Sequence, residues 1–230
     1  PKLAGEYESL ESQIDALLST GGEYAAPTSG SNLQSVQMID LDGDGVEEAV
    51  AFFRFPNDEK PMKIYIFKAE GDSYEQYARI EGTSTLIYSV NYADLDGDGL
   101  REILVGYRSS SDVQGLSIYP MTAGSPEALL ITGYSRYANI DMNGDGEQEL
   151  LILCSDTESV GRVDYYDWTD GTLTMRYSMR LSLSLAEVSR LTAGTLTGGE
   201  NALFVTGVTA ENQTVTDVLA LRGERLQNIA

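Results

Sequence analysis

The sequence predicts an all-β fold, a β-propeller-like array of four four-stranded blades with a short N-terminal helix, and three observations carry that prediction. An acidic nonapeptide recurs in register as DLDGDGVEE from Asp40, DLDGDGLRE from Asp94 and DMNGDGEQE from Asp141. Each copy runs into a short apolar segment rich in β-formers: AVAFF (49–53), ILVGY (103–107) and LLILC (150–154). Such runs read as buried strands. Further along each copy comes a second strand signal followed by a glycine and more strand: KIYIF with Gly71, LSIYP with Gly124, VDYYDW with Gly171. That pattern predicts a hairpin.

Taken in chain order, Leu10, Ile14, Leu17 and Leu18 fall at i, i+4, i+7 and i+8, the spacing of an amphipathic helix that stops near Gly21 and Gly22. The helix is expected to pack on the rim of the array or cover an edge. Residues 25–32 (AAPTSGSN) have the composition of a linker. Residues 1–32 thus form a helix and linker, and the blades are placed at about 33–81, 82–133, 134–183 and 184–230.

The first blade supplies SVQMI, AVAFF, KIYIF and YEQYARI. The fourth is a worn copy, with EVSRLTAGTLTGGENALFV (187–205) ahead of VLALRGE (218–224), Gly223 at the turn and Ala202–Val205 as the strand after the loop. Thr195 and Thr197 stand where its first two carboxylates are expected, and the loop reads one residue short. That loop is expected to hold no ion. First loop positions at 40, 94, 141 and 195 give intervals of 54, 47 and 54 residues, a period of solenoids, propellers and arrays. Blades around an axis expose only short edges. The last segment, ERLQNIA, is in phase with YEQYARI of the first blade. A ring of four blades and a part of a larger propeller both fit this phase, and an open array predicts self-association through its end blades.

The nonapeptides place side-chain oxygens at positions 1, 3, 5 and 9, with no nitrogen or sulfur ligand. A hard, oxygen-seeking cation such as Ca²⁺ takes this kind of ligand set. Glycine at position 6 (Gly45, Gly99, Gly146) lets the chain turn back on the ion, because glycine reaches positive φ without steric cost. With the backbone carbonyl of position 7, the three expected sites are Asp40, Asp42, Asp44, Val46 and Glu48; Asp94, Asp96, Asp98, Leu100 and Glu102; and Asp141, Asn143, Asp145, Glu147 and Glu149. An EF-hand opens in the same way but needs a glutamate at position 12 and flanking helices. Position 12 here is Ala51, Val105 and Ile152, so these loops join strands.

At this point residues 33 to 230 resemble the FG-GAP, or VCBS, repeat family of bacterial surface-type proteins. In that family, blades of a propeller carry a D-x-D/N-x-D-G-x-x-D/E calcium loop between their first two strands. The resemblance implies ligand roles for the residues just named and about three calcium ions in a structural role. It also implies an extracytoplasmic home, secreted or lipid-anchored at the cell surface. The chain departs from the pattern in having glutamate at position 9, Asn143 at position 3 and the worn fourth loop.

The formal charge of the 230 residues is −21, and 13 of the 36 acidic residues lie in the nonapeptides. Such a chain repels nucleic acid and anionic membrane. It has no histidine, and so lacks the commonest general base and transition-metal ligand. The single Cys154 ends an apolar run and is expected to be a buried, inert thiol. The chain starts at Pro1, which suggests that a leader precedes it, and no stretch reads as a membrane span.

The aromatic set of 14 Tyr, 5 Phe and one Trp is expected to fill space between blades. Trp168, beside a turn, is the candidate for an exposed member. These observations predict a non-catalytic calcium-binding module that binds a protein or carbohydrate ligand or serves as a scaffold. The competing expectation is a carbohydrate-active enzyme or carbohydrate-binding domain using aromatics or carboxylates outside the loops, with Asp112, Asp156, Asp164 and Asp167 as the spare groups.

Overall fold

The structure is a computed structural model and describes residues 4–84, 86–108, 114–155 and 160–230. Its strands form four antiparallel sheets, the last three built strictly in chain order as the repeat predicts. The first contains β1 (Glu23–Tyr24), β2 (Val36–Ile39), β3 (Glu48–Arg54), β4 (Met62–Glu70) and β5 (Ser73–Gly82). The second is β6 (Leu86–Ala93), β7 (Glu102–Arg108), β8 (Gln114–Tyr119) and β9 (Leu130–Gly133). The third is β10 (Arg136–Ile140), β11 (Glu149–Ser155), β12 (Val160–Thr169) and β13 (Thr172–Ser184). The fourth is β14 (Val188–Thr195), β15 (Asn201–Val208), β16 (Thr214–Leu221) and β17 (Leu226–Asn228).

The chain divides into two compact units, Pro1–Tyr92 with Gly99–Thr132, and Ala93–Asp98 with Gly133–Ala230. In the first unit, one face of β3–β5 meets the second sheet through Val50, Phe52, Ile64, Ile66 and Ile80 against Ile87, Val90, Ile103 and Val105, all at most 1% exposed. The opposite face, with Ala49, Ala51, Phe53, Tyr65, Phe67 and Tyr74, is covered by α1 (Ala4–Ser19) through Leu10 and Ile14. The predicted helix therefore covers a sheet face. It stops where Gly21 takes φ +97, a conformation that only glycine adopts without strain. Ser9 donates to the Tyr74 carbonyl and accepts from the Tyr74 N–H at 3.2 Å, fixing the helix over the start of β5. The second unit repeats the face-to-face pairing, with Leu151, Leu153, Val163, Tyr165 and Leu183 packed against Val188, Leu203, Val205 and Leu219.

Three details differ from the sequence reading. Glu23 and Tyr24, taken with the chain leading out of the helix, form β1 and pair with Arg54 and Phe53, extending the edge that β2 occupies. Gly124 does not make a tight hairpin. Pro120 has no N–H and ends β8, and the chain then makes an excursion before β9. On the way, Gly124 donates to the Tyr77 carbonyl at 2.8 Å and accepts from the Arg79 N–H at 2.7 Å, which satisfies the free edge of β5. The fourth loop is shorter than expected. Register equates Thr195 and Asn201 with Ile39 and Glu48, so five residues (196–200) replace eight (40–47) and Thr195 precedes the loop.

Gly207 on β15 illustrates how closely strands approach where the β14–β15 register shifts between Val188 and Arg190. A Cβ at Gly207 would lie 2.4 Å from the Glu187 carbonyl oxygen. Gly207→Ala is expected to cost about 1–3 kcal/mol, as overpacking against backbone does, read as a lower urea midpoint. An unchanged midpoint would mean that the bulge relaxes freely.

Candidate metal centres

Each nonapeptide is an Asx-type turn closed by its own carboxylates. In the first, Asp40 accepts from the N–H groups of Gly43 (2.8 Å) and Gly45 (3.1 Å), Asp42 from Asp44 (3.2 Å) and Asp44 from Val46 (2.7 Å). The third repeats the set: Asp141 accepts from Gly144 (2.7 Å) and Gly146 (3.1 Å), Asn143 from Asp145 and Asp145 from Glu147, both 2.8 Å. In the second, Asp94 accepts from Gly97 and Asp96 from Asp98. Both glycines are left-handed in all three loops, with φ between +72 and +97. The glycine at position 4 (Gly43, Gly97, Gly144) is thus as necessary to the turn as the one at position 6.

These turns gather three carboxylates apiece, with ligand oxygens within 4.8 Å of one another: Asp40, Asp42 and Glu48; Asp94, Asp96 and Glu102; Asp141, Asp145 and Glu149. Each group can hold a metal ion. Asp44 and Asp98 at position 5 lie outside the trios and are exposed. At position 3 of the third loop, Asn143 donates its amide to Asp145 (2.8 Å). Of the position-7 residues, Val46 and Glu147 are exposed, while Leu100 packs partly against the core of the first unit.

Position 9 decides whether the trios suit a cation. Glu48, Glu102 and Glu149 open the strands β3, β7 and β11 and are buried, at 0, 3 and 1% exposure. In the first and third loops one oxygen accepts from the position-2 N–H, Leu41 at 2.8 Å and Met142 at 2.6 Å. The other oxygen, Glu48 Oε1 or Glu149 Oε1, is buried with no hydrogen-bond partner. A buried carboxylate oxygen left unpaired is costly, and here it belongs to a group facing two further carboxylates. Burial pushes the Glu149 carboxyl up to about 7, with the Asp145 and Asp167 charges acting in the same direction. Burial also raises Glu48. A divalent cation among these oxygens would supply the missing partner and reverse both effects.

Two contributions escaped the sequence reading. The apolar residues at position 2, Leu41, Leu95 and Met142, are buried at 0, 1 and 4% exposure and pin each loop to the core. Their recurrence as Leu, Leu and Met is visible in the sequence. Lys68, at the end of β4, pairs with Asp42. That hydrogen bond lowers Asp42 and raises Lys68. Only the strand register brings Lys68 to the loop.

Of the spare carboxylates, Asp112 and Asp156 lie outside the described residues. Asp164 is held by Arg162 (2.9 and 2.8 Å) and Ser178 (2.6 Å). Asp167 lies close enough to the third trio for its charge to act on Glu149. Cys154 is partly buried beside Arg162 and Asp164, and burial pushes its thiol up to about 11. Trp168, expected to be exposed, is half-buried opposite Leu173; the aromatics among the exposed large side chains are Tyr7 and Tyr24.

Fold and loops together define a class: a repeat protein of four-stranded antiparallel sheets with acidic, cation-competent loops at the start of successive sheets. Residues 40–105 match the sequence model of the FG-GAP-like repeat, so the chain carries that repeat across its first and second acidic loops. No curated protein matches the chain significantly. Among solved structures it is similar to an exo-beta-1,3-galactanase from Phanerochaete chrysosporium with beta-1,3-galactotriose, at 11% identity and a TM-score of 0.41. The match covers 91% of this chain and 53% of that one. The chain therefore spans about half the length of the galactanase structure, and a likeness this distant carries no functional argument. Among the described residues, no helix is long and apolar enough to cross a membrane.

Proposed function

We propose that the chain is a non-catalytic, calcium-stabilised extracytoplasmic module that serves as a binding or scaffold domain. The observation that carries this reading is the unpaired, buried oxygen of Glu48 and Glu149 within its carboxylate trio. Three carboxylates in a small space repel one another unless a cation joins them. Oxygen-only ligands on a glycine-hinged loop suit Ca²⁺ better than a transition metal. The ligand set comprises the residues at positions 1, 3, 5 and 9, with the position-7 carbonyls of Val46, Leu100 and Glu147 completing it. Calcium adds folding stability here and supplies no reaction step.

Open loops of this kind bind calcium with dissociation constants on the order of 10⁻⁴–10⁻³ M in extracellular modules. They would fill outside a cell and stay empty in cytosol, which supports the extracytoplasmic placement. The partner is a protein or carbohydrate presented outside the cell, and the net charge of −21 disfavours nucleic acid.

Glu149→Gln tests the calcium role because its effect should depend on the ion. In EGTA the variant is expected to match or exceed the wild type in melting temperature, since an isosteric amide removes a buried charge. In about 1 mM calcium it should fall below the wild type by roughly 3–6 °C, the loss of one site worth about 1.4 kcal/mol. Equal shifts with and without calcium would overturn the assignment.

A further inference from the structure

The three loops share a backbone but differ at one cross-strand position. Register pairs Ala49 with Phe67, Ile103 with Tyr119 and Leu150 with Tyr166. One step toward the loops, position 9 therefore faces Lys68 in the first sheet, Pro120 in the second and Asp167 in the third. The same place in the fold carries a positive, a neutral and a negative residue.

We infer that Lys68 is a built-in competitor for the cation of the first loop, a tethered ammonium that holds this site at lower calcium affinity than the third. The inference rests on the calcium reading above. The Lys68 Nζ pairs with Asp42, a member of the first trio, and lies 5.6 Å from the centre of the Tyr77 ring. Its side chain is 31% exposed and that of Asp42 only 11%, so the pair is partly shielded from solvent. A calcium ion in the first loop must displace the ammonium or share Asp42 with it across a short distance. Either route costs affinity.

The unpaired oxygen of Glu48 shows that the ammonium does not satisfy the whole trio. The loop thus remains able to take an ion when calcium is high. At the third loop Asp167 acts in the opposite sense, its negative charge reaching Glu149 and Asp145 and partly offset by Arg176. The sites should fill in order, the third before the first, giving a graded response to calcium.

Isothermal titration of the full chain with calcium tests this. The wild type should show its weakest site at the first loop, and Lys68→Met should tighten one site roughly ten- to hundredfold, the range spanned by a charge-assisted hydrogen bond. Adding Glu48→Gln to Lys68→Met should abolish the tightened site and leave the others unchanged. Lys68→Gln, with circular dichroism as a folding control, provides a second variant. Calcium binding that both Lys68 variants leave unaltered would overturn the role of Lys68 alone. An absence of calcium binding in wild type and variants would overturn the calcium reading as well.

Discussion

Stripping divalent cations with EGTA is expected to lower the melting temperature of the wild-type protein by roughly 6–12 °C, and calcium should restore it. The magnitude follows from mass action. A site with a dissociation constant of about 0.1 mM adds about 1.4 kcal/mol at 1 mM ligand. The second and third loops, counted without the first because Lys68 pairs with Asp42 of its trio, together contribute about 3 kcal/mol, and each kcal/mol moves the midpoint by about 2–4 °C in a domain of this size. The structure supplies the reason for the loss. Without the ion, Glu48 and Glu149 stay buried with an oxygen unpaired beside two further carboxylates. Magnesium should rescue poorly, because it demands near-ideal octahedral geometry and releases its water reluctantly. A melt that EGTA leaves unmoved would return the nonapeptides to acidic turns.

Phe52→Ala is expected to cost about 3–5 kcal/mol, the range for removing a fully buried aromatic ring. Phe52 is completely buried on β3 and belongs to the core in which the first sheet meets the second, with Val50, Ile64 and Val105 in the same cluster. The loss is a large part of the roughly 5–15 kcal/mol that separates most folded domains from the unfolded state. The measurement is a urea melt in saturating calcium, where the midpoint should fall with little change in slope. Ile131→Ala gives the contrast. Ile131 is 74% exposed, and its truncation is expected to stay within about 0.5 kcal/mol. Equal losses in the two variants would mean that the first unit is not packed around Phe52 as described.

Much of the fold was legible because its signals are local. Runs such as AVAFF and LLILC mark strands buried on both faces, and β3 and β11 contain them. The nonapeptide repeat placed three turns at the starts of β3, β7 and β11, where the carboxylate trios form. The fourth loop is hard to place from the sequence because threonines at plausible positions resemble lost ligands, whereas Asn201 is fixed at the end of the loop by pairing with Thr195. Gly124 looked like a hairpin glycine; its partners, Tyr77 and Arg79, belong to another sheet.

The β class, the strand runs, the acidic loops and the turn glycines can all be read along the chain, because each depends on residues within a few positions of one another. Tertiary structure decided what faces those loops. It set Lys68 against Asp42 and Asp167 near Glu149, left one oxygen of Glu48 and Glu149 unpaired, and laid α1 over the first sheet. Those outcomes depend on register and burial, which are settled only when strands pair and water leaves the core.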